Sequence, residues 1–358
     1  MMPLLMALLL VGCDPHEDAL PIGSDKPCTV TLRLSFSTPL PLFREVDYNS
    51  RVAEPLDSAY DVRYVVKAYP AGATETTDPS FQQVFTKPID NEWDCELPVA
   101  LNGGDYDIYI WADFVKHGTT ADNFHDTSNF ANIALTEPYV GNSDYRDAFR
   151  GYAKAVSLAP NSSCNVDVEM VRPLAQYLFL ATDIQDFVER ERQRIEAKGM
   201  SVEFFNQTYA KTKGIGDAEP EDASALNAPY IVDGLDLSQY EVEFVYTGYL
   251  PNAFDMFIDK PVNSTLGVTF MSTITKSDES TAAIMGCDYV MVNGHESEVQ
   301  VRMKVYAPDD ECVSQTGDVA VPITRSKQTI VRGDFLTQQQ TEGIGVDPTF
   351  EGTYIIYY

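Results

Sequence analysis

Residues 29–36 read Thr-Val-Thr-Leu-Arg-Leu-Ser-Phe, with Val30, Leu32, Leu34 and Phe36 on one side of an extended chain and Thr31, Arg33 and Ser35 on the other. A strict period of two marks a half-buried strand. The pattern returns at Tyr60–Tyr69 (YDVRYVVKAY), where Val62, Tyr64, Val66 and Ala68 share a side. Phe81–Phe85 and Trp93–Leu97 read as shorter strands. Gly103-Gly104 is expected to turn the chain into Asp105–Asp113, in which Tyr106, Ile108 and Ile110 alternate with Asp107, Tyr109 and Trp111. Arg150–Leu158 and Ser163–Val171 follow, joined by an Ala-Pro-Asn-Ser turn at 159–162.

The rest of the chain keeps this character. Strands are expected at Ala175–Ala181, Tyr240–Tyr246, Leu266–Thr273, Asp288–Asn293, Glu298–Tyr306, Asp318–Ile323 and Gln328–Val331. One helix interrupts them. Thr182 with Gln185 fits a capping box, Ile184, Phe187, Val188 and Ile195 share a face, and Gly199 stands where a C-terminal cap belongs. Its Arg190, Arg192, Arg194 and Lys198 are expected on a solvated face, paired with Glu189, Glu191 and Glu196. Lys211–Ala228 is a polar excursion. VRYVVKAYP (62–70) is echoed by VRMKVYAP (301–308), which suggests that both halves use the same kind of sheet. The end, Gly352–Tyr358 (GTYIIYY), is apolar on both faces. It is expected to be a covered strand, either within its own second half or on a neighbouring subunit.

The composition agrees with a β-rich protein. There are 20 Tyr and 18 Phe but only 2 Trp, with 21 Gly and 21 Pro as punctuation. At 358 residues the chain can build two domains with full cores. The net charge of −29 has no basic block to offset it, so phosphate backbones would be repelled and nucleic acid is excluded as a partner. Between Trp111 and Phe149 periodicity disappears. Phe114, Phe124, Phe130, Tyr139, Tyr145 and Phe149 could pin so long a loop from within, or could stand exposed as a ligand surface.

Leu10-Val11-Gly12-Cys13 closes a short apolar run and is followed by Asp14-Pro15-His16-Glu17-Asp18. Apolar, small, Gly, Cys is the lipobox of a bacterial lipoprotein. The run spans only about 18 Å as a helix, too short to cross a bilayer, and reads as a removable leader, although it lacks the Lys or Arg that normally opens one. Residues 1–12 are therefore expected to be a signal peptide, Cys13 the lipidated N-terminus, and 13–27 a polar tether. Asp14, Glu17 and Asp18 after Cys13 resemble the export signal of surface lipoproteins, a resemblance that implies an outer-membrane, surface-exposed chain with lipid supplying the membrane contact.

Chemistry is sparse. No G-x-S-x-G elbow, phosphate-cradling loop or H-E-x-x-H occurs. His117, His125, Asp122 and Asp126 lie close in sequence, yet their spacing does not enforce a metal site. No cofactor is expected and no catalysis. Arg332-Gly333-Asp334 spells an adhesion tripeptide where a turn after a strand would suffice. Of the five cysteines beyond Cys13, Cys287 and Cys312 flank one strand-rich segment and are the disulfide pair to test, with unpaired buried thiols equally open.

The order YDVRYVVKAYP, LPVALNGGDYDIYIWAD, YRDAFRG, MVRPLAQYLFLATDI, TIVRGDFLT and GIGVDPTFEGTY resembles the fimbrillin-like, type V pilus-associated lipoproteins of Bacteroidales. The resemblance implies an all-β chain of two transthyretin-like antiparallel β-sandwich domains, here 28–171 and 172–358, with one short helix in the second. It implies a role as fimbrial anchor, tip or minor pilin, with other fimbrial subunits or host and bacterial surface ligands as partners. It also implies maturation after an arginine beyond the first strand, for which Arg44 and Arg51 lie in the right region. The alternative from another class is a glycan-binding surface lipoprotein of a nutrient-uptake system, which exposed aromatics in the 111–149 loop would favour.

Overall fold

The computed structural model describes residues 24–36, 59–89, 94–209, 229–338 other than 278 and 280, and 354–357. Cys13, Arg44, Arg51 and the whole 211–228 excursion lie outside them. The first half contributes β1 (Ser24–Phe36), β2 (Tyr60–Pro70), β3 (Phe81–Pro88), β4 (Cys95–Lys116), β5 (His125–Asp126), β6 (Ile133–Leu135), β7 (Ala148–Leu158) and β8 (Ser163–Met170). The second half opens with β9 (Leu174–Ala181), α1 (Ile184–Ala197), α2 (Val202–Thr208), β10 (Ile231–Val232), β11 (Leu235–Asp236), β12 (Glu241–Tyr246), β13 (Leu250–Asp255) and β14 (Lys260–Thr265). It continues through β15 (Thr269–Thr273), β16 (Thr275–Lys276), β17 (Ala283–Met291), β18 (Glu296–Tyr306), β19 (Cys312–Gln315), β20 (Val319–Thr324), β21 (Gln328–Gly333) and β22 (Tyr354–Tyr357). The protein is all-β in architecture; among the described residues its two α-helices lie in the second half, and the first half has one 3-10 turn at Asp144–Arg146.

The long β4 builds the first sandwich. Its N-terminal part pairs with β1, which continues to β8; its C-terminal part pairs with β2 on one side and β7 on the other, and β3 extends β2. Gly103-Gly104 is therefore no turn. The two glycines lie inside one strand, where it passes from β1 to its other partners, a place that favours residues without a side chain to pack. Val30, Leu32 and Leu34 meet Val62, Tyr64, Val66, Ile108 and Ile110 across one core. Full burial of each such aliphatic side chain contributes about 1.5–3 kcal/mol.

The second sandwich faces the sheet β15-β12-β18-β19, with β20 also on β18, against β16-β17-β9-β21-β22. Tyr177, Phe179, Phe244, Met285, Val301 and Val331 share its core. The echoed segments become β2 and β18, each an interior strand of its sheet. A fourth sheet, β14-β13-β6-β5, joins strands of both halves. β13 and β14 have little alternation (LPNAFD and KPVNST) and escape a periodicity search.

Several expectations change. The sheets are not purely antiparallel: β1 with β8, β9 with β21, and β21 with β22 are parallel pairs. Parallel neighbours need long crossovers, and here the pairs join segments far apart in sequence, apart from β21 and β22. The helix begins at Ile184 with Asp183 as its cap residue, and no side chain caps it. Asp183 instead accepts from the Leu336 and Thr337 amides and the Thr337 hydroxyl, while the Thr182 hydroxyl donates to Asp334. A tertiary demand has outcompeted the capping box. Ile184, Phe187, Val188 and Ile195 are buried as expected, and Gly199 follows the helix with a φ of +76°. A second helix, α2, was hidden by its short length; Ser201 caps it by accepting from the Phe204 amide at 3.2 Å.

Gly151 in β7 shows how closely the strands approach. A Cβ there would stand 2.5 Å from Met170 Sδ and 2.7 Å from Val168 Cγ1. Gly151→Ala is expected to cost about 1–3 kcal/mol by overpacking, read as a lower urea midpoint. An unchanged midpoint would show that β8 yields freely.

Candidate functional site

The functional geometry starts from the second face of β2. Asp61, Arg63 and Lys67 point away from the first core, yet all are buried. Register places Arg63 directly opposite Asp113 on β4, and the two form a bidentate pair at 2.8 and 2.7 Å. Arg63 also reaches Asp122 at 2.7 Å and the Thr120 carbonyl at 3.1 Å. Two residues on along the face from Val65, Lys67 donates to the Thr127 and Ser128 carbonyls and lies 4.3 Å from the Phe130 ring centre. Burial pushes its ammonium down to about 8, against the pull of Asp122 and Asp126. Two cations spaced along one strand face thus hold the aperiodic loop onto the sheet.

This explains the aromatics of the 111–149 segment. Phe114, Phe124, Phe130 and Phe149 are buried, and Tyr145 stacks on Tyr60 at 3.8 Å. His117 meets Asp61, Asp122 meets Arg63 and Thr127, and Asp126 meets the Ser128 amide, so the sequence-neighbouring acids and histidines serve separate contacts. Among the described residues no group of three or more His, Cys, Asp or Glu side chains is placed to hold a metal ion.

Beyond the loop, YRDAFRG becomes a joint between the halves. Asp147 receives Arg172 Nε at 2.8 Å, with both side chains buried, and the guanidinium lies 4.7 Å over Phe149. Arg146 covers the Tyr139 ring at 4.0 Å, donates to the Val140 carbonyl, and has Nε 3.5 Å from Asp288 Oδ1. Asp288 on β17 accepts from the Tyr139 and Tyr246 hydroxyls at 2.6 and 2.7 Å, and Tyr177 completes the chain through Tyr246. Burial, then the Asp288 charge, push the Tyr246 phenol well above its usual value. Arg150 of the first half and Arg325 of the second both grip Asp259, at 2.6–3.0 Å. Between these polar ties, Val65, Tyr69, Trp111, Ile133, Leu174, Phe254, Tyr289 and Met291 form an apolar cluster shared by both halves. Asp259, Asp288 and Arg325 had no signal in the sequence, where carboxylates are too common for one to stand out.

Cys287 and Cys312 are not bonded to each other. Cys287 is buried on β17 with Sγ 3.8 Å from Asn142 Oδ1, whereas Cys312 is exposed on β19 in the other sheet. Being close to opposite ends of a strand-rich segment did not bring the thiols together. The Arg332-Gly333-Asp334 tripeptide is not a projecting turn. Arg332 and Gly333 end β21, Arg332 pairs with Glu279, and Asp334 accepts from Thr182. On the basic face of α1, Arg194 pairs with Glu191 at 2.9 Å as expected, but the face also reaches the rest of the fold. Arg190 binds the Val313, Leu336 and Thr337 carbonyls, while Arg194 and Lys198 bind Asp309 and Glu311. The helix thereby fixes the stretch from which the chain leaves toward β22.

The model of a family of unknown function, DUF6562, matches residues 25–356. Among curated proteins, none matches. Similar solved structures include a Bacteroides thetaiotaomicron protein proposed to bind polysaccharide, at 11% identity over 80% of this chain and 79% of that one, with a TM-score of 0.40. The fimbrial anchor protein of Porphyromonas gingivalis is 10% identical over 81% of each chain, with a TM-score of 0.37. The tip fimbrial protein of the same organism is 8% identical over 83% of this chain and 81% of that one, with a TM-score of 0.34.

Two outcomes follow from the joint. Arg172→Met leaves Asp147 buried without its cation and is expected to cost about 3–5 kcal/mol in chemical unfolding. A loss below about 1 kcal/mol would mean that water reaches the pair. His125 is buried against Trp111, and neither ring nitrogen has a hydrogen-bond partner among the described residues. Burial, then the charges of Arg146 and Arg63, hold its pKa well below 6.5. The unfolded chain binds that proton first, so the stability is present above about 6.5 and falls as pH drops toward the folded value, by about 1.4 kcal/mol per pH unit. Wild type minus His125→Phe isolates this slope; parallel stability profiles from pH 7.5 to 5 would refute it.

Proposed function

The chain belongs to the DUF6562 family, and we propose that it is a surface-tethered, fimbria-associated structural and adhesive subunit, an anchor, tip or minor pilin, with no catalytic role. Cys13 is its lipid attachment point and the outer membrane its support. Several acyl chains, each methylene contributing about 0.8 kcal/mol, anchor stably where one would not.

The observation that carries the proposal is the placement of the terminal strands. β1 lies between β4 and β8, so cleavage at Arg44 or Arg51 followed by release of β1 would open a groove lined by the residues that now meet Val30, Leu32 and Leu34. β22 is bonded to β21 in the register Thr329–Tyr354 to Arg332–Tyr357, and among the described residues no strand pairs with its other side. A strand held by one neighbour can be exchanged for the same strand of another subunit using the sheet's own hydrogen bonds. The glycan-binding alternative is the weaker one, because Phe114, Phe124, Phe130 and Phe149 are buried and unavailable for stacking on a sugar.

Surface filaments purified from the source cells should contain the chain, and Cys13→Ala should abolish incorporation of labelled palmitate. Deleting residues 350–358 should leave a folded protein with a lower unfolding midpoint that no longer enters filaments. A truncated chain that assembles as before, or filaments that never contain the protein, would overturn the proposal.

A further inference from the structure

β15 is a sheet edge without the usual protection. Its inner neighbour is β12, and among the described residues no strand pairs with its other side. The Tyr246 amide donates to the Val268 carbonyl at 2.9 Å, and the Ile274 amide donates to the Tyr240 carbonyl. In an antiparallel ladder the bonded residues alternate, so residues 268, 270, 272 and 274 turn their backbone groups to β12. Thr269, Met271 and Thr273 turn theirs outward. Natural edges are blunted by charge or proline. β3 ends in Lys87-Pro88, β14 opens with Lys260-Pro261, and β8 carries Asp167 and Glu169. From Val262 to Thr275 the chain has neither a charged residue nor a proline, although the protein as a whole carries −29. Around this edge Met271 is 51% exposed, Leu266 54% and Tyr249 71%.

We propose that this edge is where a second copy of the chain adds, β15 against β15, about a two-fold axis at Met271. The sequence is self-complementary in that sense. Antiparallel pairing about Met271 sets Thr269 opposite Thr273, Val268 opposite Ile274, and Met271 opposite itself. All three outward residues then face their counterparts as hydrogen-bonded pairs, and the contact repeats identically on both copies, as a two-fold interface requires. Threonine pairs and an apolar centre are favourable cross-strand partners. The contact also brings no like charges together. On the adjoining strand Glu243 is already paired with Lys304 at 2.9 Å. So short a pairing buries less than a standard stable interface, and the dimer is a weak one that a crowded surface would populate. It uses neither β1 nor β22 and does not depend on the fimbrial proposal.

Sedimentation of the purified protein from about 10 µM to about 1 mM tests it. Wild type and Met271→Leu should show a concentration-dependent dimer that strengthens when salt screens the net charge. Met271→Lys, at an exposed position that tolerates the change, should weaken the dimer at least tenfold with its unfolding midpoint retained. Hydrogen exchange should show the Thr269, Met271 and Thr273 amides unprotected in dilute solution and protected when concentrated. A monomer throughout, a dimer indifferent to Met271→Lys, or a dimer lost only when residues 354–358 are deleted would each overturn the proposal, the last by making the tail strand the occupant.

Discussion

The burial of Asp147 against Arg172 is the constraint on which the rest of the structure turns. Two ionised groups removed from water are tolerable only when their geometry is good and the surrounding atoms are fixed. Phe149 beneath the guanidinium, Ala148 donating its amide to Asp147, and Ser326 donating to the Arg172 carbonyl supply that fixity. The pair sits where the chain passes from β8 to β9, so it holds the crossing point itself. Arg146 with Asp288, and Asp259 between Arg150 and Arg325, repeat the device a few residues away. Each tie crosses from one half to the other or braces the segment that does. The apolar cluster around Trp111 and Tyr289 fills the space between them.

The joint braces the two halves against each other. It also separates the body of the molecule from its ends. Asp183 and Arg190 hold the stretch at Leu336-Thr337 beside the end of β21. β1, by contrast, is embedded between two strands, and its loss would expose a core. The two strands thus differ in kind: β1 is an interior strand of its sheet, and β22 stands last in the order of its own.

Much of the fold was legible where one face is buried and the other is wet. β1, β8, β12 and β18 follow a period of two because solvent enforces it. β2 and β4 illustrate the limit. Val62, Tyr64 and Val66 were assigned correctly to one face, but Arg63 and Lys67 on the other are polar and nonetheless buried under the 120–130 loop. Periodicity records polarity, and a cation satisfied by Asp113 or by two carbonyls is polar and buried at once. The same blindness hid the joint, since YRDAFRG was visible as a motif but its partners Asp259, Asp288 and Arg325 are distant in sequence. Thr182 and Gln185 made a sound local cap that Asp183, Leu336 and Thr337 overrode. Cys287 and Cys312 show that sequence proximity to one segment says nothing about which sheet a strand will join.

Native-state hydrogen exchange tests the central claim, a single body with a separable end, most directly. The account predicts that amides of β4 and β7 in the first half and of β9 and β17 in the second open with one common free energy, and that β22 opens well below it. Separate opening energies for the two halves, or a β22 that exchanges only on global unfolding, would contradict it.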